Sequence, residues 1–381
     1  MSRPVDSYPF LDAMFSAYLV FSPKYVMYSG WVGDQDPNFG GLQDAMRNII
    51  HSAWHGFANF GSDIGGYRTG PGYLGRTKEL FMRWFQMGAF VPLMENGGDK
   101  QHGPWKFDTP GSTFVVDTYR RFAAAHVELT PYLLSTGTVA MATGTSSLTP
   151  MMPKPKDLWI LQYNNITTYS YMLGDQFFVH PIVEANVTSQ QVKLPANATW
   201  YDYFDPSIVH AGGQTITVAT PLQYFPVFAK TGSILALNVS NDDAGHGVGA
   251  NMGGYTLVVH TPSFSPSGVA QDVYEYKANG LRASYVVSST GAPACNAPVT
   301  IKFNVTATPH AVTLLLQNVK ATSDTFITAT TVGGNNVEAE WVHVPTSPTA
   351  TSSGGVPQVV VKVPNPQSGA QVSIPNVSVV C

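Results

Sequence analysis

The amino-acid sequence predicts an α/β region followed by an all-β region, and a change of pattern near residue 150 carries that prediction. Before it, apolar residues recur at the three-and-four spacing of helices and alternate with short apolar runs, which is the rhythm of β/α units. After it, the helical spacing fades. Short alternating segments separated by Gly, Pro, Asn and Ser take over, as in β-sandwich domains.

The elements follow in order. Leu42, Met46, Ile49, Ile50, Ala53, Trp54 and Phe57 fall on one helical stripe that ends at Phe60-Gly61-Ser62-Asp63. A second helix is expected from Arg76 through Leu80, Trp84 and Met87, and a third from Val115 through Tyr119, Phe122 and His126 to Leu129. Tyr25-Val26-Met27-Tyr28 and Phe90-Val91-Pro92-Leu93 are the expected strands among them. In the second region Gln191-Val192-Lys193-Leu194, Thr215-Ile216-Thr217-Val218, Thr313-Leu314-Leu315-Leu316 and Val359-Val360-Val361 read as strands. Residues 241–254, rich in Gly, Asn and Asp, read as a linker, and no internal repeat of fixed period is present.

Composition narrows the function classes. The 381 residues suffice for two or three domains of about 100–200 residues each. With a net charge of -4 and only 12% charged residues, the chain has no basic face to neutralise a phosphate backbone, so nucleic acid is excluded as a partner. No apolar run reaches the roughly 18–20 residues of a membrane span. Aromatic residues also make up 12%, which suits a large core or pockets that cover the apolar face of sugar rings. The start, Ser2-Arg3-Pro4-Val5-Asp6, lacks the apolar stretch of a signal peptide. Even so, N-x-Ser/Thr sites at Asn165, Asn186, Asn197, Asn238, Asn304 and Asn376 suggest a secretory, extracellular or lysosomal history. In such a compartment the two cysteines, Cys295 and Cys381, are expected to pair. Nothing in the sequence specifies an oligomeric state.

The chemistry gathers in three stretches. Ser29-Gly30-Trp31-Val32-Gly33-Asp34-Gln35 stands between a strand-like run and the first helix. A carboxylate there, on a glycine-floored loop beside a tryptophan, is where α/β barrels put catalytic groups. Burial against Trp31 would raise its pKa and suit it to general acid work, while a helix cap or turn aspartate is the competing local reading. Phe60-Gly61-Ser62-Asp63-Ile64-Gly65-Gly66-Tyr67 repeats the arrangement with Asp63, and two such carboxylates on successive units would face one pocket. The stretch from Arg83 to Gly98 then runs from helix to strand to polar loop, with His102 and Trp105 after it. His102 suits a rim contact with sugar hydroxyls or a structural role.

Three segments in order resemble the consecutive signature blocks of glycoside hydrolase family 31 (α-glucosidase-like). They are Gly30-Trp31-Val32-Gly33-Asp34-Gln35, Gly61-Ser62-Asp63-Ile64-Gly65-Gly66-Tyr67, and Glu79-Leu80-Phe81-Met82-Arg83-Trp84 with Gly88-Ala89-Phe90. The likeness continues through Thr130-Pro131-Tyr132, Leu173-Gly174-Asp175-Gln176-Phe177 and Trp200-Tyr201-Asp202-Tyr203 to about residue 240. It implies the second half of a (β/α)8 TIM barrel at 1–150, a proximal β-sandwich at 151–240 and a distal β-sandwich at 241–381. The implied activity is retaining hydrolysis of α-linked oligosaccharides or glycosides, without a cofactor or metal. Asp34 is then the acid/base and Asp63 holds sugar hydroxyls, with Trp31, Arg83, Trp84 and His102 as further substrate contacts.

Two departures from the family pattern stand out. The family nucleophile lies on an earlier strand, so it is expected to be missing from these residues, and an inactive or merely sugar-binding polypeptide is the alternative reading. Many members also carry Arg-Asn-His after the Gly-Ala-Phe strand, where this chain has Glu95-Asn96-Gly97 and only later His102.

Overall fold

The computed structural model describes residues 29–69, 75–98, 102–154 and 166–238, together with eight strands between 254 and 379. The expected strand at 25–28, residues 241–253 of the expected linker, Asn165, Cys295 and Cys381 lie outside the described residues.

The β/α region is built on three parallel strands, β1 (Gly30–Trp31), β2 (Phe60–Asp63) and β3 (Leu93–Glu95), side by side in chain order. The helix α1 (Phe39–Trp54) joins the first two and α2 (Lys78–Gly88) the last two. Close pairing depends on Gly61, because a Cβ there would run into the carbonyl oxygen of Leu93. Both helices start on side-chain caps: Asn38 accepts from the Gly41 N–H at 2.9 Å and Thr77 from the Leu80 N–H at 3.2 Å. A third helix, α3 (Phe114–Glu128), is opened by Asp108, whose carboxylate accepts from the N–H groups of Val115 and Val116 at 2.8 and 3.1 Å.

Two expectations shift. The run Phe90-Val91 marks burial rather than a strand: both residues are fully buried, but Phe90 N–H still closes the end of α2 on Met87 O at 3.0 Å. Pro92 has no N–H for a ladder, and pairing starts at Leu93. A further helix, α4 (Thr130–Thr143), follows α3 directly. Its Leu134, Val139 and Met141 are exposed while Tyr132 and Ala140 are buried, so no single apolar stripe announces it.

From Leu148 onward the described residues hold strands and turns. In chain order these are β4 (Leu148–Pro150), β5 (Tyr171–Leu173), β6 (Phe177–Val179), β7 (Ser189–Lys193), β8 (Thr199–Asp202), β9 (Val209–Ala211), β10 (Thr215–Ala219), β11 (Val227–Lys230) and β12 (Ile234–Leu237). Then come β13 (Gly254–His260), β14 (Ala283–Ser289), β15 (Pro298–Val305), β16 (Ala311–Gln317), β17 (Val319–Ala321), β18 (Glu338–Val344), β19 (Val356–Val363) and β20 (Ala370–Val379).

The chain divides into two compact units, the first of Met1–His126, Thr136–Lys193 and Thr215–Val227, the second of Val127–Ser135, Leu194–Gln214 and Phe228–Cys381. These units are discontinuous, whereas the limits expected at 150 and 240 follow the chain linearly. Besides the parallel sheet, the first unit contains the antiparallel ladder β4-β5-β6 and the antiparallel pair β7 and β10. In the second unit, β8 pairs with β9 and with residues 228–230 of β11. That unit also holds a five-stranded sheet in the order β12-β13-β16-β19-β18 and a four-stranded sheet in the order β14-β15-β20-β17. Only the β13–β16 pairing of these two sheets is parallel.

Aromatic rings fill the core of the first unit. Phe90 stacks on Phe225 with ring centres 5.9 Å apart and meets Phe122 and Phe177 edge-on, each at 6.5 Å. The hydroxyl of Tyr171, itself fully buried, donates to the Phe90 carbonyl at 2.8 Å, so its polar end is satisfied where water cannot reach.

Candidate active site

All the candidate residues belong to the first unit, with Trp31, Asp34, Asp63 and His102 at or beyond the carboxyl ends of β1, β2 and β3, and Arg83 and Trp84 within α2. The loop that leaves β1 carries Asp34, half-buried, just after Gly33, whose φ of 89° only glycine adopts readily. Its neighbours hold that loop in place. Gln35 Nε2 donates to Val32 O at 2.8 Å, and Gln35 O accepts from the N–H groups of Tyr67 and Arg68 at 3.0 and 3.1 Å. Arg68 also pairs with Asp36 at 2.9 Å. Gly66, at φ 81°, lets the loop lie close, since a Cβ there would meet Asp36 O at 2.7 Å. The loops after β1 and β2 therefore form one interlocked layer.

Asp63 ends β2 at 2% exposure, and the indole N–H of Trp31 donates to its Oδ2 at 3.1 Å. The tryptophan expected beside Asp34 thus reaches across to the second carboxylate, two residues along β2 from its own register partner Gly61. On the other side Asp63 is the register partner of Glu95 at the end of β3, and side chains at matched positions of neighbouring strands leave the sheet on the same face. A methyl group added at Gly97 would run into Asp63 Oδ1 and lie 3.3 Å from Glu95 Oε1.

One at Gly98, φ 121°, would strike the His102 ring and stand 3.1 Å from Arg76 Nη2. Arg76 is 8% exposed and donates from Nε to Gly66 O at 3.0 Å and from Nη2 to Tyr67 O at 3.2 Å, which fixes the turn after Asp63. Asn96 donates to His102 O at 3.0 Å and holds the loop beyond β3. Trp31, Asp63, Glu95, Gly97, Gly98, Arg76 and His102 thus form a chain of neighbours, with Asp34 on the adjoining loop.

Arg83 and Trp84 stand elsewhere. The Arg83 guanidinium, on a side chain 1% exposed, donates to Thr220 O at 2.6 Å, Tyr224 O at 3.1 Å, Pro221 O at 3.3 Å and Val187 O at 3.4 Å. Burial lowers its pKa to about 10, partly offset by Glu79. Trp84 has no exposed surface and donates its indole N–H to Ser62 Oγ at 2.9 Å. The sugar contacts expected of these two residues are therefore corrected to packing roles: a helix buried on all sides must satisfy its polar groups inside the protein.

Sequence reasoning passed over Glu95 and Arg76. Glu95 carries the signal that singled out Asp63, a carboxylate closing a short strand ahead of glycines. Arg76 carries none, because its role depends on carbonyl groups that only the fold brings to it. Among the described residues no three His, Cys, Asp or Glu side chains gather as a metal site.

Comparison with known proteins bears on the same residues. Residues 20–136 match the glycosyl hydrolases family 31 TIM-barrel domain, and residues 148–235 match the glycosyl hydrolase family 31 C-terminal domain. The sulfoquinovosidase of Agrobacterium fabrum is 33% identical over 211 residues, which cover 53% of this chain and 30% of that protein. Human neutral alpha-glucosidase C is 27% identical over 219 residues, 55% of this chain and 22% of the relative. The chain thus spans less than a third of the length of these curated relatives. Among solved structures, the cycloalternan-forming enzyme of Listeria monocytogenes in complex with a pentasaccharide substrate aligns with a TM-score of 0.68 at 20% identity, covering 92% of this chain and 32% of that one. A Flavobacterium johnsoniae dextranase complexed with glucose aligns at 0.64 and 19% identity, covering 91% and 44%. These two likenesses concern the fold.

Proposed function

We propose, from the premise that this chain belongs to glycoside hydrolase family 31, that the protein hydrolyses α-linked oligosaccharides or glycosides by retaining double displacement. The observation that carries the reading is the meeting of Trp31 and Asp63 at the ends of parallel strands, beside the loop of Asp34. Asp34 donates its proton to the leaving glycosidic oxygen while a carboxylate attacks the anomeric carbon and forms a glycosyl ester. In the second half-reaction Asp34, now a carboxylate, takes a proton from water, whose oxygen displaces the ester with retention. Asp63 accepts from sugar hydroxyls, held by Trp31, with His102 at the rim.

By the family resemblance the attacking carboxylate belongs to an earlier barrel strand. We read 1–150 as the second half of the barrel, 151–240 as a proximal β-sandwich and 241–381 as a distal one. A secretory, glycosylated state is part of the same reading. It is supported by Asn186 and Asn197, which stand exposed in turns at φ 60° and 65° within N-x-Ser/Thr sites.

Proton NMR of disaccharide hydrolysis by the protein extended through the earlier barrel strands tests the mechanism. The α anomer should appear first, and first release of the β anomer would exclude double displacement.

A further inference from the structure

We propose that Glu95 determines which sugars the Asp63 pocket accepts, favouring neutral, hydroxyl-bearing glycosides over those with an anionic substituent. The inference rests on reading this site as a glycosidase pocket. Asp63 and Glu95 are register partners on neighbouring parallel strands, so their carboxylates leave the sheet on one face. The space beside Gly97 brings them together, as a single methyl group there would touch Asp63 Oδ1 and stand 3.3 Å from Glu95 Oε1. Trp31 takes the other oxygen of Asp63, Oδ2, at 3.1 Å, which turns Oδ1 toward Gly97.

The lack of a side chain at Gly97 keeps this edge open, because any Cβ there would displace the Asp63 carboxylate. The Arg76 guanidinium donates to the carbonyl groups of Gly66 and Tyr67 and lies on the Gly98 side. Two carboxylates on one edge accept hydrogen bonds from hydroxyl groups. An anionic substituent brings no donor and meets like charge, a repulsive element of the kind that creates specificity.

The test uses the full-length protein, with an aryl α-glucoside and the same glucoside carrying a sulfonate at carbon 6. Wild type should prefer the neutral substrate in kcat/KM. Glu95→Gln, which keeps the shape and removes the charge, should narrow that preference about 10-fold or more. Added salt should narrow the wild-type preference and leave that of Glu95→Gln nearly constant, since only the charged edge is screened. A structural role for Glu95 would not produce this salt dependence.

An unchanged preference in Glu95→Gln, or a wild-type preference for the sulfonate, would overturn the proposal. If wild type turned over neither substrate, the glycosidase reading would fail instead. Calorimetric binding of glucose against glucose bearing the same sulfonate would then decide the role of Glu95 by the same comparison.

Discussion

Asp34 and Asp63 look alike in the sequence, each in a glycine-containing stretch after a strand-like run, yet the structure gives them different surroundings. Asp63 is buried and tied to Trp31, whereas Asp34 is half-buried on a loop whose flanking residues do the anchoring. A fixed carboxylate suits holding hydroxyl groups, and one with access to solvent suits exchanging protons with substrate and water. In the full-length protein Asp34→Ala should slow a natural disaccharide by about 100-fold to 10,000-fold, the usual contribution of general acid catalysis. An aryl glycoside with a good leaving group should lose far less in its first step, because such a group departs with little help from an acid. Glycosylation rates for both substrates make the comparison, and equal losses would remove Asp34 from the acid role. The loop itself was legible from its glycines and tryptophan. The Trp31–Asp63 bond was not, since it depends on strand neighbours 32 residues apart.

At the scale of elements, α2 shows how burial dictates polar contacts. Every residue from Leu80 to Gly88 is buried, so the guanidinium of Arg83 and the amide of Gln86 must find partners inside the protein. They find the carbonyl groups of residues 187 and 220–224, with Gln86 donating to Leu222 O at 2.6 Å. Arg83→Met should therefore leave several buried carbonyl acceptors without donors and lower stability by about 1–3 kcal/mol for each one that water does not reach. Urea denaturation measures this, and a loss under about 1 kcal/mol would mean that water replaces the guanidinium.

The helix was legible in the sequence because its apolar residues recur at helical spacing. The function of Arg83 was not, because a family signature does not distinguish an arginine that touches substrate from one that holds the scaffold beneath it. For the same reason α4 escaped: its apolar residues point in several directions. The strand in 90–95 was displaced by three residues because burial and extended pairing both favour apolar side chains. The β region was the most legible, with β7, β10, β16 and β19 all lying on expected runs, since alternation between turn residues has few other readings.

For the molecule as a whole, buried histidines make acid a destabilising condition before most carboxylates titrate. Burial lowers His51 from 6.5 to about 4, helped by the positive charges of His55 and Lys154. It lowers His180 to about 4 as well, although a hydrogen bond with Gln190 opposes the shift. His126 and His210 move in the same direction, again through burial. Above about pH 6.5 these rings are neutral in both folded and unfolded chains, and their contribution to stability is complete. As pH falls from 6.5 toward 4, the unfolded chain binds protons that the folded one refuses at His51 and His180, so stability declines. Below about 4 both states are protonated at these two sites and the decline from them ends. Within the window each fully shifted histidine contributes a slope of about 1.4 kcal/mol per pH unit. Urea midpoints measured between pH 7 and pH 5 should fall accordingly, and His51→Gln and His180→Gln should each flatten the dependence. Because the carboxylates of an unfolded chain titrate mostly below that range, with ordinary values of about 3.9–4.3, the flattening isolates the imidazoles. Variants with the same pH slope as wild type would show that these rings bind their protons as readily in the folded protein as in the unfolded chain.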